Sequence, residues 1–450
     1  MERYKNIRNV IGGISLFLFI FIPPAGVSFG WSEHPLLSFP VLASMPKVRD
    51  AAPVKAETLA SFVQAEQARI GRYLNEEEAW ALKNVPSYPP LPEANRFRAD
   101  ADAGKTLERF ALAIRVNPRA GFPLYVAHVP GQAADGPTLR PSSITFLKHT
   151  EDWDETVFTG VEAGNMVKAL DVVVSATDEP DLLGLDIGLF EDNGTPLGKI
   201  SGFGTQPFGN PNLEYSSQAP FHMGFFHEAK IMYLLAGFLK RTYPEYRIHL
   251  YGGLSDLAFK TGHPYWGWRF LGWGLHYIAD LTQPYHSTVL PGVSTARALW
   301  INTIDMAGFH KGKANAIQLV SNRHTALEKY GQLVLKKAYR EKGGANVILQ
   351  ELQSGRPAAA YDPTVPRRVI AGQSHARAAD TDRIMSETMP HRFVSDPAFE
   401  LGTSAERAQL LERILKEKGP GAVQKLDRLI ADLLAPFAVY GPAYVNSVVK

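Results

Sequence analysis

The sequence predicts a mostly α-helical protein: a multi-helix bundle around a metal site, with long irregular loops and an extra helical region at the C-terminal end. Three observations carry this. Apolar residues recur at helical spacing in one run after another. Two histidine–acid pairs, His276/Asp280 and His324/Glu328, each stand four residues apart, so each projects from one face of a helix. The stretches between the runs are rich in proline and glycine, which break helices. One such pair alone is more often a satisfied core histidine than a ligand set. Two pairs on separate helices are much harder to obtain by chance, and facing helices of a bundle are where metal sites are built.

The chain has 450 residues, 45% of them hydrophobic, enough for a sizeable core in one large domain or two. It contains no cysteine, so no disulfide supports the fold and no thiolate can bind metal. Ligands must come from the 13 histidines and from Asp and Glu.

Residues 1–30 read as a secretory signal. Arg3, Lys5 and Arg8 form a basic start, Val10 to Ile22 is mostly apolar, and Pro23 and Pro24 follow. Ser28 and Gly30 supply the small residues of a cleavage site, so cleavage after Gly30 is expected, giving a secreted or periplasmic protein that begins at Trp31. The alternative is an uncleaved membrane anchor, but the apolar run is short for a span of about 20 residues. Without residues 1–30 acids and bases balance, which weighs against the broad basic surface of a nucleic-acid binder.

Along the chain, Ala56 to Leu74 carries Leu59, Phe62, Val63, Ile70 and Leu74 near helical spacing, and Lys105 to Val116 is a second helical candidate. Residues 117–143, rich in Pro and Gly, read as an irregular insertion. Gly164 to Thr177 reads as a helix ending in Asp178-Glu179-Pro180-Asp181. Residues 184–217 form a long Gly/Pro-rich loop without a phosphate-cradling GxxxxGK[ST] pattern. His222 precedes a helical run from Met223 to Lys240. The aromatic-rich stretch from Ile248 to Trp273 reads as core around the metal helix. Pro284 stops or kinks that helix, and His286 lies just beyond. Ser294 to Met306 is a short helix, and a long one from about Ala314 to Glu341 carries His324 and Glu328. After a weak stretch from Glu351 to Pro390, helical periodicity returns in Ser404 to Glu417 and Ala422 to Leu434.

Leu275-His276-Tyr277, Asp280, Gln283-Pro284 and His286 stand in the order and spacing of a known pattern. The stretch resembles the zinc-dependent bacterial phospholipases C and their relatives, the fungal single-strand nucleases. The resemblance is specific over about twenty residues and thinner elsewhere. It implies a trinuclear zinc site inside the helical bundle, in a domain spanning residues 31–344, with residues 345–450 as a helical extension of unknown role.

Carried over residue by residue, the resemblance assigns Trp31, through its free amine and carbonyl oxygen, and His34 to one zinc. Asp178, His222 and His276 would hold a second, with Asp280 bridging the two, and His286, His324 and Glu328 would hold the third. Asp181 and Asp186 are alternatives to Asp178, and Pro35 directly after His34 is unusual for the pattern. The resemblance further implies an enzyme that hydrolyses phosphoric ester bonds: three cations close together neutralise a phosphodiester, lower the pKa of a bound water and stabilise the leaving oxygen. A non-ligating or loosely bound carboxylate would act as base, with Asp178 or Glu179 placed for it if the loop folds back. Phe221 and Phe225 would line a pocket for a lipid headgroup, where cation–π attraction suits a choline ammonium. The nucleases' Asp-Gly-Gly-Asn and Asn-Leu-His segments are missing, and Asn322-Arg323-His324 running on to Glu328 follows the phospholipase spacing. A phospholipid or other phosphodiester is therefore the expected substrate, with transient contact to a membrane surface. The alternatives are a single-strand nuclease or 3′-nucleotidase of the same family, and a non-catalytic zinc-stabilised exported protein.

Overall fold

The computed structural model describes residues 31–208, 217–342, 346–356 and 359–450. The expected signal segment, residues 1–30, lies outside the described residues. The chain is mostly helical, as its periodic runs predict.

At the centre lies a helix that is buried along nearly its whole length, and the others are arranged on it. In chain order the elements that matter are α1 (Pro35–Ser44), β1 (Val54–Lys55), α2 (Leu59–Asn84), β2 (Tyr125–His128), β3 (Thr138–Leu139), β4 (Val157–Gly160), β5 (Met166–Val167), α3 (Ala169–Ala176) and α4 (Glu179–Leu182). They are followed by α5 (Ala219–His222), α6 (Lys230–Leu235), α7 (Pro244–Lys260), α8 (Pro264–Asp280), α9 (Pro284–Ser287), α10 (Thr295–Met306) and α11 (Lys311–Arg340). The C-terminal elements are α12 (Val347–Leu352), α13 (Ala371–Thr388), α14 (Leu410–Lys418) and α15 (Pro420–Val448).

The central helix is α8, in which every residue from Tyr265 to Asp280 is buried. Proline opens α1, α7, α8, α9 and α15, a position where its missing N–H costs nothing and its fixed φ suits the first turn. The helix α8 packs against α7, α3 and α15. Its approach to α3 is close: a methyl at Gly272 would lie 2.6 Å from both the Val173 carbonyl oxygen and the Ala176 Cβ. Glycine there lets the backbones touch, and this brings the acidic turn after α3 against the last turns of α8.

Several sequence expectations change. Residues 117–143 are not wholly irregular: β2 and β3 flank β4 in a three-stranded antiparallel sheet, with Tyr125 opposite Gly160. The Ala127 N–H donates to Ser175 Oγ at 2.8 Å, tying this sheet to α3. The run from Met223 to Lys240 is helical only in α6 and a short 3-10 turn at Gly237–Lys240. Just after His222 the Gly224 N–H donates to the His286 carbonyl at 2.7 Å, and a Cβ on Gly224 would meet Leu281 at 2.6 Å. The chain is pinned flat against the end of α8 there and cannot coil. Residues from the C-terminal region, Phe393, Leu410 and Phe437 among them, join the same hydrophobic core as Trp31 and Trp273.

Candidate metal centre

Asp280, the last residue of α8, is fully buried and ringed by three imidazoles. His34 Nε2 lies 3.2 Å from its Oδ1, while His222 Nδ1 and His276 Nε2 lie 2.8 and 3.3 Å from its Oδ2. His276 sits one turn before Asp280, as the helical spacing requires. His222 ends α5, and His34 is the cap residue before Pro35 of α1. Asp181, on the short helix α4, brings its Oδ1 to 3.7 Å from His222 Nδ1 and 3.9 Å from His276 Nε2.

A second constellation adjoins this one. His286 on α9 and His324 on α11 face each other through their Nε2 atoms at 3.0 Å. Glu328, one turn after His324, places Oε1 2.6 Å from His324 Nε2 and 3.5 Å from His286 Nε2. Gln283 Nε2 donates to the same Glu328 oxygen at 2.9 Å, while its own Oε1 accepts from the Tyr285 N–H and caps α9.

Among the described residues, three groups of buried side chains could hold a metal ion: His34, Asp181 and His276; His222, His276 and Asp280; His286, His324 and Glu328. Within each, the facing atoms lie within 4.8 Å of one another. The hydrogen bonds fix how the rings are presented. A carbonyl oxygen only accepts, so His276 donates from Nδ1 to the Thr177 carbonyl at 2.9 Å, and His286 donates from Nδ1 to the His222 carbonyl at 3.0 Å. In the neutral ring this leaves each Nε2 a bare acceptor. His276 Nε2 then faces the Asp280 carboxylate and His222, and His286 Nε2 faces Glu328 and His324. Buried acceptors aimed at acceptors are costly unless a cation lies between them. The donor set, imidazole nitrogen with carboxylate oxygen, fits such a cation.

The electrostatics divide the imidazoles into two kinds. Burial pushes the pKa of His324 down to about 3, and burial together with the nearby His34 pushes His276 down to about 4. Both are held as neutral imidazoles, the form that binds metal. Burial also opposes charge on His34 and His222, but carboxylates outweigh it. Asp178 and Asp280 raise His34 to about 9, and Asp186 and Asp280 raise His222 to about 10. Burial lifts Asp181 to about 8. Burial would lift Asp280 too, but its ring of histidines holds it well below the usual carboxylate range.

The predicted residues therefore sort clearly. His34, His222, His276, Asp280, His286, His324 and Glu328 are brought together. Asp181, an alternative in the sequence, takes the position among the imidazoles, and Asp178 stands beside it in none of the three groups. Asp178 accepts from the His34 backbone N–H at 2.9 Å and from Trp153 Nε1 at 2.6 Å. Glu179 is turned away from the centre. Its carboxylate receives Arg269 at 2.7 Å and Trp273 Nε1 at 2.5 Å, a buried ion pair in the core, which removes it as a candidate base. Phe221 is fully buried, 4.9 Å from the Phe203 ring and 4.7 Å from the Arg247 guanidinium. Phe225 packs 5.4 Å from Phe208 in a separate apolar cluster. Both are packed inside the protein, in place of the headgroup pocket expected of them.

Trp31 buries its indole and donates from Nε1 to Thr282 Oγ1 at 3.0 Å, two residues beyond Asp280. Between Trp31 and His34 the chain turns through Glu33, whose φ of 56° is left-handed. A non-glycine residue is held there by its surroundings. Glu33 pairs with Lys336 Nζ at 2.6 Å, receives Gln332 Nε2 at 2.9 Å, and also bonds Thr156. The first described residues are thus strapped to α11.

Sequence reasoning missed the supporting role of Asp186. Its Oδ2 lies 3.3 Å from His222 Nε2 and accepts from the Tyr277 hydroxyl at 2.6 Å, while its Oδ1 pairs with Arg247. It holds His222 from behind, as carboxylates do for metal-binding histidines.

Compared with known protein families, with curated proteins and with solved structures, the chain has no match in any of the three.

Proposed function

We propose that the chain is an exported zinc-dependent phosphodiesterase of the phospholipase C type, its zinc ions held by the three buried groups. The observation that carries this reading is the pair of bare acceptors, His276 Nε2 and His286 Nε2, aimed at carboxylates and imidazoles in two adjoining constellations. His276 belongs to two of the groups, and with Nδ1 given to the Thr177 carbonyl its Nε2 is free for one ion, so these two groups are overlapping choices of donors around one neighbourhood. Zinc held there supplies charge neutralisation for the phosphoester oxygens and the leaving group and lowers the pKa of water.

The chain's own residues do the rest. Asp186 and the Thr177 carbonyl hold His222 and His276 in orientation, and Gln283 holds Glu328. Asp178, beside His34 but outside the three groups, is the carboxylate left to take a proton, with its direction fixed by the His34 amide and the Trp153 indole. Trp31 would enter through its main chain, its indole already seated against Thr282.

The experiment is hydrolysis of phosphatidylcholine and of single-stranded RNA side by side, by zinc-loaded protein that begins at Trp31, with and without chelator. Chelator-sensitive release of phosphocholine is the expected result. Cleavage of RNA alone would move the protein to the nuclease branch, and full zinc content with neither activity would favour the non-catalytic reading. One added residue before Trp31 is expected to weaken zinc binding, because it removes the free amine.

A further inference from the structure

Exposed large apolar side chains are unevenly distributed. Among the described residues eleven are exposed, and six of them fall in two short segments: Ile231, Leu234 and Leu235 on α6, and Trp300, Met306 and Phe309 on and just after α10. The most prominent are Leu234, Phe309 and Trp300, at 78%, 70% and 65% exposure. Isolated apolar residues at a surface need no explanation, but a concentration of this kind does. The helix α10 buries only Ala298 of its twelve residues. It stands with the start of α11 as a helical hairpin, and Phe309 lies at the apex, just after the Gly308 turn.

The two segments belong together. Met232 of α6, Ala236 just after it and Ala298 of α10 share one apolar cluster, distinct from the main core. That cluster reaches the metal centre along the chain: Met223, which packs on it, follows His222 directly, and Val289, which also packs on it, comes three residues after His286.

The charges around the patch are predominantly basic. Lys230, Lys240, Arg297 and Lys311 are exposed on these segments. The two acids there are already engaged: Asp305 with His310 at 2.7 Å and Lys313 at 2.8 Å, and Glu228 as acceptor for the Val289 amide at 2.8 Å. Exposed Trp and Phe bordered by Lys and Arg form the composition that settles into the head-group layer of a bilayer. A second copy of the chain fits less well, because a two-fold contact would bring the same basic-rimmed patch together from both sides.

We infer that α6 and the α10–α11 hairpin form a docking face for an anionic phospholipid surface, with Leu234, Trp300, Met306 and Phe309 entering the head-group layer beside the metal centre. This rests on the phospholipase reading for its biological sense, yet binding can be measured without turnover.

The test is co-sedimentation of the full chain with vesicles of equimolar phosphatidylcholine and phosphatidylglycerol, in chelator, compared with vesicles of phosphatidylcholine alone. Binding should be stronger to the anionic vesicles and should weaken as salt rises. Trp300→Ala with Phe309→Ala should weaken it about tenfold or more without lowering the melting temperature, since both side chains are exposed. Arg297→Ser or Lys311→Ser should weaken it by about fivefold each. No binding to anionic vesicles, or binding unchanged in the double variant, would overturn the inference. So would sedimentation of the free protein as a dimer that Trp300→Ala dissociates, which would make a second copy the occupant. Vesicle binding without headgroup release from zinc-loaded protein would leave the docking face standing and remove the phospholipase reading. Hydrolysis of a soluble short-chain phosphatidylcholine without vesicle binding would do the reverse.

Discussion

Two buried polar clusters lie a few residues apart in sequence and differ in what they leave over. Glu179 and Arg269 form a closed pair: one positive charge meets one negative, and both carboxylate oxygens have donors in Arg269 and Trp273. Asp181 and Asp280, two residues on and across the interface, sit instead among imidazoles, of which His276 turns a bare Nε2 toward them. The first cluster balances its charge with protein groups alone. The second is complete only with protons or cations added. Burial alone therefore does not mark a functional carboxylate; the balance of donors around it does.

The widest gap between the clusters is expected from His276→Ala. It removes a member of two groups at once, so bound zinc per folded chain and turnover should both collapse, turnover by more than about a hundredfold. Full metal content in that variant would mean the acceptors are satisfied some other way. Arg269→Met tests the other cluster. It leaves Glu179 buried and unpaired, at an expected cost of about 3–5 kcal/mol in denaturant unfolding. That cost should be the same with chelator as without, and a cost that vanished on chelation would join the two clusters into one.

Asp186→Asn sharpens the comparison, since Asp186 is paired like Glu179 yet leans on a candidate ligand. Zinc affinity by competition titration should fall about 10–100-fold. An unchanged affinity would place Asp186 with the structural pairs.

The gentlest effect is on the pH profile of the metal-free protein. His34 and His222 have folded pKa values raised to about 9 and 10. A group raised in this way contributes its full stability below its unfolded value, roughly 6.5 for histidine, and loses it as pH climbs through the folded value. Asp181, raised to about 8, acts in the same sense over the window below that. His276 and His324, lowered to about 4 and 3, act at the acid end, where charging them opposes the fold. Chelated protein should therefore lose stability from roughly pH 7 to pH 10, while zinc-loaded protein, whose ligands have already released their protons, should stay nearly level. Equal slopes for the two would contradict the raised values.

The helix-borne candidate ligands were legible because a helix converts spacing into direction. His276/Asp280 and His324/Glu328 needed only the 3.6-residue period to be placed. The acidic turn was not legible in the same way. Asp178, Glu179 and Asp181 lie within four residues, and the short helix α4 sends them three ways: to a tryptophan and an amide, to an arginine, and to the imidazoles. No periodicity distinguishes residues inside one turn. The small sheet was hidden because β3 is two residues long and finds its partner twenty residues onward. The helix α13 was hidden because its surface is largely polar and its buried residues include Ser374, Thr381 and Asp382, which a hydrophobic pattern does not register.

The strap at Glu33 sets a schedule for assembly. Its partner Gln332 lies 299 residues further along, and Lys336 follows four residues later. At ordinary synthesis rates of about 5–20 residues per second, the segment holding Trp31, Glu33 and His34 waits roughly fifteen seconds to a minute before α11 exists to receive it. Until then Glu33 has no cation to balance it, and His34 has neither Asp280 nor Asp181 beside it. The candidate metal centre is thus among the last parts of the molecule that can close, and a chain cut short before α11 would present these side chains without a means of holding them together.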